Sequence, residues 1–422
     1  MSDLIVIDAR RPALKIAVCV ALAAAVAFGW FAVKWQLGDM LASLTQPSDP
    51  NASNIADVAV NLAPGDPQAY ALKAAAADSD MWPVAAYQTA VRLAPKDFRW
   101  HVELGRAYEQ DGQLGPAEAE FRQAVDLAPS YAYPRWHLGN FYLRQDRNAE
   151  ALDQLRSAAD NNQTFRDQVF SLVWDVYEKD PAQVEALAGN RPDALSYLAY
   201  FFAARARAPE SLRNWNRLSD QEKVRHSAAG KAIALSLFQQ RFYHESLDLA
   251  RQLGLARGSL PETVTNGSFE KDLVDDGDFS FGWQDVASEP KLEIATDSRV
   301  RHGGERSIRL VFKGFSKPSL LELSQIVAVE PNARYTLRFW TRTENLKAAG
   351  GPLVETLNAN SSLGLAASTS FSGSSDWQEN VIDVTTPANC SGINIRVVRG
   401  FCGDVCSITG TLWFDDFDLT RR

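Results

Sequence analysis

Histidine, cysteine and methionine are scarce in this chain of 422 residues, at five, four and three copies. So few histidines leave little material for metal centres or acid–base dyads, and none of them stands in an H-E-x-x-H motif. There is also no G-x-S-x-G, no P-loop and no G-x-G-x-x-G, which removes the nucleophile elbow, the phosphate cradle and the dinucleotide turn. His101 and His137 recur 36 residues apart and read as solvent-facing; His226, His244 and His302 have no partnered motif. Together these gaps predict a protein that is not an enzyme. Positive charge is short as well: 43 basic residues face 52 acidic ones, net −9. No basic field is available to draw phosphates, which excludes a general nucleic-acid binder. Apolar residues are not lacking. At 46% hydrophobic, the chain can build two or three domains with their own cores.

Cys19 lies in an apolar run and reads as inert. Cys390, Cys402 and Cys406 cluster near the C-terminus without a second pair or a nearby histidine, so they do not form a zinc pattern. In an oxidising compartment one disulfide forms and one thiol is left over: Cys402 with Cys406, or Cys390 with either.

Long charge-free runs are confined to one place. Residues Ile16 to Val33, IAVCVALAAAVAFGWFAV, carry no charge. As a helix this run measures about 27 Å, close to the hydrocarbon thickness of a bilayer. Arg10, Arg11 and Lys15 precede it, and Trp30 and Trp35 mark its far end like an aromatic belt. The pattern predicts a cytoplasmic tail at 1–15, a transmembrane helix at 16–35 and everything beyond on the other side of an inner membrane. A cleaved signal peptide is the alternative, supported by the Ala23-Ala24-Ala25 triplet. A polar linker with Pro47 and Pro50 is expected over 36–54.

Then a period appears. NLAP ends at Pro64, RLAP at Pro95 and DLAP at Pro129, spacings of 31 and 34 residues. The clearest unit, HVELGRAYEQDGQLGPAEAEFRQAVDLAP, ends at Pro129. It resembles the tetratricopeptide repeat. Leu104, Gly105 and Tyr108 match the first helix of that family, and Ala117, Phe121, Ala124 and Pro129 match the second helix and its stop. Gly105 and the alanines suit close approach of two helices, Tyr108 and Phe121 suit the space between hairpins, and Pro129 ends a helix. The next unit keeps Leu138, Gly139, Tyr142, Ala151 and Ala158, with Gln163 in place of the proline. The preceding unit keeps Tyr87, Ala90 and Pro95, has Ala71 for the glycine, and is three residues short. Repeats over 55–163, followed by diverged helical hairpins over 164–257, predict a solenoid whose surface binds protein segments.

Beyond GSLPETVTNGSFEK the texture alternates in seven or more short segments, among them SIRLVF, RYTLRFWTRT and LWFDDFDL. That is β-sandwich patterning. Residues 264–422 resemble jelly-roll carbohydrate-binding modules of bacterial glycoside hydrolases, a galactose-binding-like fold. The resemblance is carried by NGSFE, Gly282-Trp283, HGGERSIRLVF, Trp377 and the closing LWFDDFDL. It implies a structural calcium between the first and last strands, held by Glu270 with Asp415 or Asp416, since a hard cation collects carboxylate and carbonyl oxygens. It also implies a glycan ligand, with Trp283, Trp340 and Trp377 as candidate stacking residues. The fold class expected is therefore multidomain: a transmembrane helix, an all-α solenoid and an all-β sandwich. The function expected is a non-catalytic periplasmic scaffold in polysaccharide synthesis, export or envelope assembly. The alternatives are a lectin-like sensor and a glycoside hydrolase.

Overall fold

Helix α1 (Pro12–Leu44) opens the computed structural model, which describes residues 12–77, 84–273, 279–285, 291–318 and 323–422. Arg10 and Arg11 lie outside the described residues. The chain divides into two compact units, Met1–Leu187 and Ala188–Arg422.

In the first unit α1 is long and apolar enough to cross a membrane, and that part of it is unburied. The helix continues to Leu44, through the first half of the stretch read as a linker. Its last turns pack on the next helices: Gly38 lies against Ala63, and Ala42 forms a small core with Ala59 and Ala69. The helices that follow are α2 (Ala52–Leu62), α3 (Pro67–Ala75), α4 (Val84–Leu93), α5 (Phe98–Gln110), α6 (Leu114–Leu127), α7 (Ala132–Arg144), α8 (Asn148–Asn161), α9 (Gln163–Val176) and α10 (Pro181–Ala188). They pair as hairpins, α3 with α4, α5 with α6 and α7 with α8. Asp97 caps α5 by accepting the Arg99 N–H at 3.1 Å, which satisfies one of the free donors of the first turn.

Within the α5–α6 hairpin, Leu104, Gly105, Ala117, Phe121 and Ala124 are buried. Phe121 lies on Gly105 and meets Phe141 of the following hairpin at 5.4 Å. Tyr108 is half-buried, and its hydroxyl accepts from Gln88 Nε2 at 2.7 Å. Pro129 follows α6, whose cap residue Ala128 donates back to the Ala124 carbonyl. Ala117→Trp is expected to cost about 1–3 kcal/mol or more by overpacking, read as a lowered melting temperature. The solvent-facing reading of His101 is corrected. Its ring is buried, with Nδ1 2.6 Å from Glu120 Oε2 and Nε2 3.0 Å from the Pro95 carbonyl. The hydrogen bond to Glu120 raises its pKa.

The second unit begins with five helices: α11 (Pro192–Ala203), α12 (Ala208–Asn216), α13 (Asp220–Arg225), α14 (Ser227–Gln239) and α15 (Tyr243–Gln252). Strands β1 (Gln284–Asp285), β2 (Leu292–Asp297), β3 (Ser307–Ser316), β4 (Leu323–Ala328), β5 (Arg334–Ala348), β6 (Pro352–Asn358), β7 (Gly364–Ala367), β8 (Gly373–Thr385), β9 (Gly392–Arg399) and β10 (Cys406–Arg421) follow. They form two antiparallel sheets, β1-β4-β9-β6-β7 and β2-β3-β10-β5-β8, around one apolar core. Alternate residues of β5 (Tyr335, Leu337, Phe339) point into that core, the period-2 pattern seen in the sequence.

The stretch 164–257 is therefore split. Helix α9 belongs to the first unit, while α11, α12, α14 and α15 share an apolar cluster with Phe281 and Ala328 of the sandwich. Tyr243 seats its ring on Gly392 and donates to the Ala359 carbonyl at 3.1 Å. His244 Nε2 donates to the Val329 carbonyl at 2.9 Å. Of the three disulfide pairings left open, the structure has Cys402–Cys406; Cys390 is free and buried.

Candidate functional site

Helices α5 and α7 are the first helices of successive hairpins, and side chains on either side of their glycines line a groove of about 530 Å³. Arg106, Glu109 and Gln110 come from α5; Trp136, His137, Asn140 and Arg144 come from α7. The two helices are clamped across the groove. Arg144 donates from Nε and Nη2 to the two oxygens of Glu109, each at 2.7 Å, a bidentate pair that fixes both side chains. Arg106 donates to Glu103 at 2.9 Å, and Tyr133 donates to the other Glu103 oxygen at 3.0 Å. His137 lies edge-on to Tyr133 at 4.5 Å. Burial, with the nearby Arg106 and Arg144 charges, pushes its pKa down to about 4, so the ring is neutral at pH 7. It is half-buried, facing the groove rather than open solvent. Two oriented guanidiniums, a neutral imidazole and an indole suit recognition of a polypeptide segment. Sequence reasoning missed these residues because it followed the buried consensus positions. The signal was available one step away, in Arg106 after Gly105 and Asn140 after Gly139.

On the sandwich, Glu270, Asp415 and Asp416 do converge on one loop, 302–306. The loop meets them with backbone N–H groups. Asp415 Oδ2 accepts from His302 N at 2.8 Å and Gly303 N at 3.2 Å, and Oδ1 accepts from Asp416 N at 2.9 Å. Glu270 Oε1 accepts from Glu305 N at 2.7 Å and Arg306 N at 3.2 Å. Gly304, at φ +52°, lets that carboxylate in, because a Cβ there would lie 1.9 Å from Glu270 Oε1. Asp416 pairs with His302 Nδ1 at 2.7 Å.

These donors do not fit a calcium ion. Oxygens that a cation needs are turned onto N–H groups, and among the described residues no group of three or more His, Cys, Asp or Glu is placed to share a metal. The adjacent aspartates have another cause. β10 shifts register between Asp415 and Asp418, and Asp416 sits at φ +52°, a left-handed position that aspartate tolerates. Asp415 thus points into the N–H nest while Asp416 reaches His302.

Burial pushes the Asp415 carboxyl up to about 6 against those donors, with the Asp416 charge adding to the rise. The folded state then takes up a proton below about pH 6, whereas the unfolded chain does so near the ordinary 3.8. Stability from this group is present below the unfolded value and is lost as pH rises through 6. Asp415→Asn is expected to flatten the rise in urea midpoint between pH 7 and pH 4.5. An unchanged slope would count against it.

Of the candidate stacking residues, Trp283 is core. It is 1% exposed, lies between Phe269 and Phe417, and donates from Nε1 to the Asn266 carbonyl at 3.2 Å. Trp340 and Trp377 lie on the outer side of the second sheet. There His302 stacks on Trp340 at 3.8 Å, nearly parallel, and meets Trp377 edge-on at 5.8 Å.

No family model matches the chain, and no curated protein matches it. Several solved structures are similar over part of it. One described as "CBM4 structure and function" is 16% identical, covering 38% of this chain and 99% of its own, with a TM-score of 0.28. MamA 41-end from Desulfovibrio magneticus RS-1 is 26% identical, covering 31% and 75%, with a TM-score of 0.27. TmCBM61 in complex with beta-1,4-galactotriose is 23% identical, covering 33% and 88%, with a TM-score of 0.24.

Proposed function

We propose that the chain is a non-catalytic scaffold, anchored in a membrane by α1, which holds a protein partner in the α5–α7 groove. The observation that carries this reading is the groove itself, where two fixed arginines and an indole face a half-open cavity. The anchoring rests on the charge-free run of α1 behind Lys15, and the Cys402–Cys406 bond supports a place outside the cytoplasm, on the periplasmic side of an inner membrane. The sandwich then serves as a second module, toward glycan or another envelope protein, with Trp377 rather than Trp340 as the ring to stack a sugar because His302 covers Trp340.

A photo-crosslinking residue placed at Asn140 in intact membranes is expected to capture one defined protein. Trp136→Ala with Arg144→Glu should lose that capture while helical circular dichroism is kept. Capture unaffected by the two changes would overturn the groove reading. A reporter fused after Arg422 should be active only in a form that works outside the cytoplasm, and cytoplasmic activity would overturn the anchored topology.

A further inference from the structure

Helix α1 outruns the membrane. Its 33 residues span about 50 Å, against a hydrocarbon core of about 30 Å. Lys34 ends the charge-free run, so Leu44 stands about 15 Å farther along the axis, beyond a headgroup layer of about 5–7 Å. On this outer part, one side of the helix is committed: Gly38 and Ala42 are buried against α2 and α3, and Leu41 packs with them. The other side carries Leu37, Met40 and Leu44, which are 44%, 44% and 75% exposed. With Lys34 at the hydrocarbon edge Leu44 lies beyond the lipid, and among the described residues of the unit none covers the row.

The row has a definite spacing. Val33, Leu37, Met40 and Leu44 fall at steps of four, three and four, the seam of a left-handed helix pair. Polar Gln36, Asp39 and Ser43 stand off it. Inside the membrane stretch the same steps continue backward through Trp30, Val26, Ala23 and Cys19. A partner that follows this seam across the membrane boundary is itself a membrane helix with apolar residues at the same 3.5-residue spacing. A second copy of this chain meets that condition without further assumption, in register and parallel.

We propose that α1 pairs with α1 of a second copy along Cys19, Ala23, Val26, Trp30, Val33, Leu37, Met40 and Leu44, so that two solenoids rise from one paired anchor. This rests on the reading of α1 as a membrane helix. The first test uses the native chain. Cys402 and Cys406 are bonded and Cys390 is buried, which leaves Cys19 as the available thiol. Copper–phenanthroline oxidation of membranes, joining two thiols with loss of two protons and two electrons to the copper oxidant, should give a covalent dimer lost in Cys19→Ser. In the Cys19→Ser background, single cysteines at 33, 37, 40 and 44 should crosslink, and those at 36, 39 and 43 should not. Adding Leu37→Glu and Leu44→Glu to the Met40→Cys variant should abolish its crosslinked dimer without loss of helicity, since neither leucine packs within the monomer. Alkaline carbonate extraction of the same membranes separates the two readings. Protein retained in the pellet with no 4-3-4 crosslinking pattern overturns the pairing and leaves the anchor standing; protein released to the supernatant overturns the anchor.

Discussion

Gly267→Ala is expected to unfold the β-sandwich at temperatures where the native chain stays folded. A Cβ at this position would lie 2.0 Å from the carbonyl oxygen of Phe417. The two backbones are already tied there, since Phe417 N donates to the Gly267 carbonyl at 2.9 Å. The obstacle is main chain, so no rotamer change relieves it. Relief requires the opening segment and β10 to part, which uncovers the Phe269, Trp283 and Phe417 rings packed at 5.2–6.0 Å beneath. Overpacking a core costs about 1–3 kcal/mol when side chains can move, and a backbone clash belongs at or above the upper end. Calorimetry of the full chain in detergent should show the sandwich transition lowered by many degrees. Gly364→Ala is the control: a Cβ there meets nothing within 4 Å, and a change within about 0.5 kcal/mol is expected. Equal melting of the two variants would sink the argument.

Most of the architecture was legible because periodicity reports a buried face. The spacing of Leu104, Gly105, Ala117 and Ala124 determines two helices in close contact, and alternation along RYTLRFW determines a strand with one side in a core. Periodicity does not report what covers a face. The apolar stripes of α14 and α15 are helical in either case, and only the three-dimensional arrangement shows that this hairpin also closes over the sheet containing β4 and β9. The same limit explains Trp283, whose neighbours Phe269 and Phe417 come from opposite ends of the module. The resemblance to carbohydrate-binding modules also brought Glu270, Asp415 and Asp416 to one place, and the two aspartates of β10 do need a counterpart. The counterpart is a set of backbone N–H groups on loop 302–306, and backbone donors carry no residue-type signal.

Tyr243→Ala is expected to lower the stability of the helices and of the sandwich together, although Tyr243 belongs to α15. Its ring is 3% exposed, edge-on to Phe238 at 5.4 Å, and it lies on Gly392 of β9, where a Cβ would come 2.5 Å from ring carbon Cδ2. Removing a buried aromatic ring costs about 3–5 kcal/mol through lost burial and the cavity left behind. Tyr243→Phe isolates the hydroxyl bond to the Ala359 carbonyl and should cost about 0.5–1.5 kcal/mol. The contact is mutual, so Gly392→Ala alone should also destabilise by displacing the ring. In the double variant the added methyl enters the space that Tyr243→Ala vacates, and the sum of the two single losses should exceed the loss in the pair. Because Leu237, Leu247, Phe281 and Ala328 share one buried cluster, α14, α15 and the sandwich have no apolar boundary along which to separate. Far-ultraviolet circular dichroism at the helical band and near-ultraviolet signal from the sandwich aromatics should therefore shift by the same number of degrees in Tyr243→Ala. A helical transition that moves while the sandwich transition stays in place would show residues 264–422 to be the independent module that the sequence suggested.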